Sequence, residues 1–91
     1  SPEAVLIHFE IAPHAQDVTE PVRHHSEEIL YVTEGELTVQ IGDRDIVLME
    51  GDTTVIQKNL PHICKNNSHV PVKGISVISP PVWGKMNEIG D

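Results

Sequence analysis

The fold of this chain is limited above all by an alternation of apolar and polar residues with a period of two, which recurs along most of its length. In the segment 36–41, for example, Leu37, Val39 and Ile41 alternate with polar neighbours. This spacing is typical of β-strands that have one buried face and one wet face. No stretch keeps a helical spacing beyond two turns, and seven scattered prolines would interrupt helices. The pattern therefore predicts an all-β protein.

Turn-forming residues separate the predicted strands at short, regular intervals. Glu34-Gly35, Gly42-Asp43 and Glu50-Gly51 each end one apolar run before the next begins. Short strands at this spacing predict a sandwich or a closed barrel. The 91 residues contain no linker and no internal repeat, so we expect a single domain over residues 1–91.

The charge of the chain excludes two classes of partner. It carries 14 acidic and 6 basic residues, a formal net charge of −8 at pH 7. Lys and Arg supply the affinity for nucleic acid and for anionic membranes, so neither is expected as a direct partner. No membrane-spanning run or secretory signal is visible, and the single cysteine, Cys64, has no internal disulfide partner. We therefore expect a cytoplasmic protein.

Histidine and glutamate residues beside the predicted strands are the candidates for chemistry. The run from His24 to Glu28 precedes Leu30 and Val32, which we expect in the core. Because side chains alternate along a strand, His24 and Glu28 share the inner face, and His25 points the other way. An ionised Glu on an apolar face is costly unless it is paired or binds a cation.

A third candidate, His62, lies on a later predicted strand. His62, Cys64 and Asn66 share one face of that strand, so we expect Cys64 in the same cavity as His62. Imidazole and carboxylate ligands together suit divalent Fe, Zn, Ni or Mn. The residues thus point to a divalent metal inside the barrel, and they leave the identity of that metal open.

The segment at about 22–35 resembles the first of two motifs that define the cupins. That motif runs from a Gly through two His to a Glu, and then to a Gly seven residues beyond. Glu28 and Gly35 match its second half at the right spacing.

The segment at about 51–66 resembles the second cupin motif, which places Pro, Gly, His and Asn at fixed offsets after a Gly. Gly51, His62 and Asn66 match, whereas Gln57 and Asn59 stand where Pro and Gly are usual. Asn59 is a mild change because Asn tolerates the left-handed conformation. The resemblance extends over about residues 5–80 and implies a cupin double-stranded β-helix, or jelly-roll, barrel.

The resemblance also implies a metal site that has lost one ligand. Cupins usually hold a metal with three His and one Glu. If His24 is aligned to the second His of the motif, the position of the first His falls on Val22. If the alignment is shifted by one residue, His25 takes the second position and Arg23 takes the first. Either way two His and one Glu remain. The implied ligands are His24, Glu28 and His62, with His25 as the fallback for His24.

Two functions follow from such a site. The first is a module that binds or senses a small anionic or polar molecule beside the metal, with four residues around that ligand: Leu30, Val32, Cys64 and Asn66. The alternative is a small metal-dependent enzyme of the dioxygenase or isomerase type, since two His and a carboxylate hold Fe(II) with open positions. A purely structural barrel would leave His24 and Glu28 unexplained.

The end of the last predicted strand, Ser79-Pro80-Pro81, has a narrower resemblance. It is similar to the cupin sensor domains that follow a helix-turn-helix in some bacterial regulators. The chain itself contains no helix-turn-helix, so in such a regulator it would be the sensing part only.

A homodimer is the expected assembly, because a chain this small has a thin core and association buries more apolar surface. The strand around Val5 to Phe9, with Leu6 outward, is the expected contact. Trp83 is expected to close one end of the barrel or to lie in the dimer contact, and the tail from Trp83 to Asp91 to pack loosely.

Overall fold

Seven short β-strands make up the regular structure of the chain, seen in a computed structural model that describes residues 3–19 and 23–81. The strands are β1 (Val5–Ile11), β2 (Glu27–Glu34), β3 (Glu36–Ile41), β4 (Arg44–Met49), β5 (Thr53–Ile56), β6 (His62–Lys65) and β7 (Val72–Ser79). Within those two ranges there is no helix that could cross a membrane. The expectations for Trp83 and for the tail fall outside the described residues.

The strands form two antiparallel sheets. One sheet has the order β1-β7-β2-β5 and the other has the order β4-β3-β6. Strand β7 therefore lies between the two earliest strands, and Ile78 pairs with Val5 on one side and with Glu28 on the other. The prediction of an all-β antiparallel fold is confirmed.

Aliphatic side chains from both sheets fill the space between them. Leu30 and Val32 on β2 belong to the same buried cluster as Leu37 and Val39 on β3, and none of the four is more than 1% exposed. Along the segment 24–32 every second residue is buried and the residues between are exposed. The alternation in the sequence thus places the inner face of β2 correctly.

Strand β3 departs from the predicted pattern of one dry face and one wet face. The alternation puts Thr38 on the wet face, but its side chain is buried, with 5% exposure. Its hydroxyl has a distant hydrogen-bond partner: Asn67, in the loop after β6, donates from Nδ2 to Thr38 Oγ1 at 3.4 Å. A buried hydroxyl is tolerated there because it has a hydrogen-bond partner.

Several turns between strands use the left-handed conformation, and two of them bear on the predictions. Gly35 has φ 84°, and a Cβ atom at this position would lie 2.7 Å from the carbonyl oxygen of Pro71. A larger residue would push away the segment that leads into β7. Asn59 has φ 64°, so the predicted tolerance of Asn at this motif position is confirmed.

The outer face of the four-stranded sheet carries an apolar row. Leu6, Val77, Ile29 and Val55 lie side by side across β1, β7, β2 and β5. Leu6 is 57% exposed and Val55 is 53% exposed. Exposed apolar surface of this kind on a sheet is one place where a second copy could bind.

The homodimer stays a prediction, and Leu6 provides its test. If the expected contact at β1 is correct, Leu6→Glu should convert a dimer into a monomer, because it places a charge in a desolvated contact. Glu10→Gln, on the same face of β1, should leave the assembly unchanged. Multi-angle light scattering measures both, and a monomer mass for the unaltered chain at micromolar concentration would contradict the prediction.

Candidate metal centre

Three side chains with metal-binding chemistry meet in the interior: His24, Glu28 and His62, here called the His–Glu–His cluster. Their donor atoms lie within 4.8 Å of one another, and Glu28 Oε1 is 3.3 Å from the Nε2 atom of each histidine. Exposure is 1% for His24, 7% for Glu28 and 3% for His62. Because Glu28 belongs to β2 and His62 to β6, the cluster joins the two sheets.

The alternation along the segment before β2 decides which histidine takes part. His24, Ser26 and Glu28 are buried, whereas His25 and Glu27 are exposed. The structure therefore places His24 in the cluster and leaves the fallback, His25, on the outer face.

Each imidazole of the cluster is oriented by a backbone carbonyl. His24 Nδ1 lies 3.0 Å from the carbonyl oxygen of Ser26, and His62 Nδ1 lies 2.9 Å from that of Leu60. A carbonyl oxygen only accepts hydrogen bonds, so Nδ1 is the protonated nitrogen in both rings. In the neutral form of each ring, Nε2 is then a bare acceptor, and both Nε2 atoms face the same carboxylate oxygen of Glu28.

The carboxylate of Glu28 is oriented in turn by the last strand. Ser76, on β7, donates from Oγ to Glu28 Oε2 at 2.6 Å. This hydrogen bond occupies one oxygen and leaves Oε1 directed at the two histidines. Partners that orient the ligating groups in this way are characteristic of metal sites.

The donor set fits a divalent metal. Three acceptor atoms that converge in a buried place repel one another unless a proton or a cation lies among them. Two ligands of a tetrahedral zinc are about 3.0–3.5 Å apart, and the 3.3 Å separations from Glu28 Oε1 fall in this range. His24, Glu28 and His62 could therefore hold such an ion.

In the metal-free protein, contacts within the cluster shift the pKa values of Glu28 and His62. Burial by itself would raise the pKa of Glu28, but hydrogen bonds from His24, His62 and Ser76 outweigh it and lower the pKa to about 2. Burial likewise opposes protonation of His62, yet its contacts with Glu28 and with the carbonyl of Leu60 raise the pKa above the ordinary 6.5. Glu28 is thus ionised at neutral pH, and His62 tends to carry a proton.

A cavity of about 230 Å³ lies beside the cluster, and Glu28 forms part of its wall. Most of the wall is apolar and comes from β1, β2, β7 and the loop after β1: Ile7, Phe9, Ile11, Val18, Leu30 and Ile78. Glu28 therefore belongs to the His–Glu–His cluster and to the cavity at once, so a molecule in the cavity would lie next to a bound metal.

Two of the four residues predicted around the ligand line this cavity, Leu30 and Cys64, and two do not. Val32 is fully buried in the hydrophobic core. Asn66 donates from Nδ2 to the carbonyls of Ile11 and Val70, at 3.0 and 2.8 Å. Its side chain braces the end of β1 and the loop before β7, and the sequence spacing alone does not distinguish that role from ligand binding.

One polar residue of the cavity, Asp17, is missed by the sequence reasoning. It lies in the loop after β1, where no strand alternation applies, and it lines the cavity together with Glu28, Cys64 and Ser76. No local signal in the sequence marks Asp17.

Burial, reinforced by the nearby carboxylates, raises the pKa of the Cys64 thiol, so that Cys64 is a neutral thiol at physiological pH.

Comparison with known proteins identifies the class. The family model described as "Cupin domain" matches residues 7–78, so the chain belongs to the cupin family. A relative is the tetracenomycin polyketide synthase protein TcmJ of Streptomyces glaucescens, which is 31% identical over 75 residues. That match covers 82% of this chain and 50% of the relative, so the chain spans about half the length of the curated protein it matches.

Solved structures show the same fold. An uncharacterized conserved protein with a double-stranded β-helix domain from Klebsiella pneumoniae superposes with a TM-score of 0.81 at 21% identity, over 97% of this chain and 77% of that one. A predicted oxalate decarboxylase from Thermotoga maritima gives 0.77 at 19% identity, over 87% and 69% of the two chains. The expected double-stranded β-helix is confirmed.

Proposed function

We propose that this cupin domain binds a small molecule in its cavity beside a divalent metal held by His24, Glu28 and His62. The observation that carries the proposal is the convergence of the two Nε2 atoms on Glu28 Oε1, with both Nδ1 atoms within hydrogen-bond distance of backbone carbonyls. Two imidazoles and a carboxylate that converge in this way, each oriented by a further hydrogen bond, match the ligand set of a divalent metal site.

The shape of the cavity supports the choice of a small molecule. Its walls are mostly apolar, and its few polar groups lie at defined places, which is the usual composition of a ligand site. A bound divalent metal would supply a Lewis acid for oxygen atoms of that molecule. Glu28 would hold the metal from one side, while the apolar walls exclude water from the other.

Metal analysis of protein purified without chelator tests the proposal. We expect one equivalent of divalent metal per chain, and we expect the double variant His62→Ala, Glu28→Gln to lose it, because only one of the three ligands then remains intact. The matched control, His8→Ala with Glu27→Gln, changes two exposed residues of the same types and should keep the metal. Protein that takes up no metal even after Fe(II), Zn, Ni or Mn is added would contradict the proposal.

A metal-dependent enzyme is the second candidate. It is favoured by the position of Glu28, which is shared by the His–Glu–His cluster and the cavity, and by the resemblance to a polyketide synthase protein over half of that relative's length. The sensing proposal expects no turnover of a bound molecule. Oxygen uptake or isomerisation by the metal-loaded protein, lost in the His62→Ala, Glu28→Gln variant, would favour the enzyme.

A further inference from the structure

We propose that Asp17 determines which molecules the cavity accepts, and that it selects an uncharged, mainly apolar molecule whose hydroxyl group donates a hydrogen bond to its carboxylate. This inference deepens the proposed function and rests on it in taking the cavity as the ligand site. It narrows the anionic or polar ligand expected from the sequence to a neutral hydrogen-bond donor.

Asp17 is held firmly enough to act as a fixed acceptor. Its backbone N–H donates to the carbonyl of Cys64 at 3.0 Å, and its Oδ1 atom accepts from the backbone N–H of Cys64 at 3.0 Å. These two bonds attach the loop after β1 to strand β6. The same carboxylate also accepts from the backbone N–H of Val18 and from the Cys64 thiol. Of its roughly four acceptor positions, about one therefore remains for a ligand.

Asp17 and Glu28 lie at different depths of the same cavity. Glu28 is buried at 7% exposure, whereas Asp17 is exposed, and both line the cavity. Asp17 is not one of the three residues whose donor atoms meet in the His–Glu–His cluster. We therefore assign its carboxylate to the ligand and not to the metal. A molecule that reaches from the metal toward solvent would meet Asp17 at its outer end.

The charge around the cavity disfavours anions. Among the described residues that line it, two are carboxylates and none is Lys or Arg. Burial raises the pKa of the Asp17 carboxyl; the hydrogen bonds from Cys64 and Val18 and the charge of His62 offset part of this rise, and the charge of Glu28 adds to it. With a divalent cation bound, the two carboxylates already balance its charge, so an anionic ligand would add an unpaired charge.

The other polar groups of the cavity already have hydrogen-bond partners. Ser76 Oγ donates to Glu28 Oε2, and Glu28 Oε1 faces the two histidines. Asp17 is therefore the strongest acceptor left for a ligand. A cavity of about 150 Å³ holds benzene, so the 230 Å³ here suits a bicyclic molecule of about naphthalene size.

Binding of three probes of one shape tests the inference. The probes are 2-naphthol, 2-methoxynaphthalene and 2-naphthoate, titrated by calorimetry into the zinc-loaded and the metal-free protein. A hydrogen bond to a charged group is expected to favour 2-naphthol over its methyl ether by about tenfold in both forms. Asp17→Asn keeps the size of the side chain and should reduce this preference to about threefold or less, whereas Asp43→Asn, in an exposed turn, should preserve it.

If Asp17→Asn does not fold, the same probes still test the inference on the unaltered protein. In its metal-free form, 2-naphthoate is expected to bind more weakly than 2-naphthol. The inference would be overturned if 2-naphthol and its methyl ether bound equally, or if 2-naphthoate bound the metal-free protein more tightly than 2-naphthol. It would also be overturned if Asp17→Asn kept the full preference for 2-naphthol over its ether, or if no probe bound. Metal content is measured separately. If the proposal of a bound metal is wrong, the protein will contain no metal but will still prefer 2-naphthol to its methyl ether.

Discussion

Zinc added to the metal-free protein is expected to raise its melting temperature, and His24→Ala is expected to abolish most of that rise. A ligand at about 100 times its dissociation constant stabilises a folded protein by about 2.7 kcal/mol. For a domain of this size that free energy corresponds to about 10 °C or more. The expectation rests on His24 Nε2, one of the three converging acceptors, whose removal leaves zinc with two ligands.

The control for this experiment is the neighbouring histidine. His25→Ala changes an exposed side chain and should keep the full effect of zinc. Each variant is compared with and without zinc by differential scanning fluorimetry, so that the intrinsic cost of losing the buried His24 ring cancels. An equal rise in His24→Ala, or a rise lost in His25→Ala, would assign the metal to other residues.

The pH dependence of stability is expected to change direction when zinc binds. In the metal-free protein the pKa of Glu28 lies at about 2 instead of the ordinary 4.5, so its ionised form stabilises the fold above pH 4.5. That contribution, at most about 3 kcal/mol, is lost as the pH falls toward 2. His62 has a raised pKa, so its contribution is present below pH 6.5 and is lost as the pH rises through the folded-state value.

These two contributions place the greatest stability of the metal-free protein between about pH 4.5 and 6.5. Zinc needs both imidazoles neutral, so its stabilising effect should grow as the pH rises above that window. Urea denaturation from pH 3 to 8.5, with zinc or with a chelator, measures both profiles. A zinc effect that is as large at pH 5 as at pH 8 would show that His62 is not a ligand.

The part of the site that lies on strands could be predicted from the sequence, because side-chain direction on a strand depends only on position. The period of two places Glu28 on the inner face of β2, and the same alternation continues into the segment before β2, where His24 is buried and His25 is exposed. Spacing predicts Cys64 on the same face as His62. Cys64 lines the cavity, whereas His62 belongs to the His–Glu–His cluster beside it, and Ile63 between them is buried as well.

The parts of the site that depend on loops could not be predicted. Asp17 reaches the cavity only because the loop after β1 pairs with Cys64, 47 residues later in the chain. Asn66 matches a motif position, but its partners are backbone groups on other segments. The hydrogen-bond partner of the buried Thr38 hydroxyl is likewise distant in sequence, since it is Asn67. Nothing local in the sequence specifies such contacts.

The place of β7 between β1 and β2 has a consequence for the order of folding. Each of these two strands is hydrogen-bonded to β7 and not to the other, so the four-stranded sheet needs pairings across most of the chain, such as Val5 with Ile78. Loops of that length close slowly, and a nascent chain would expose the unpaired edges of both strands until β7 is synthesised. Ser76 arrives with β7, so the carboxylate of Glu28 is oriented only after β7 has been synthesised, and we expect any metal to bind after that point.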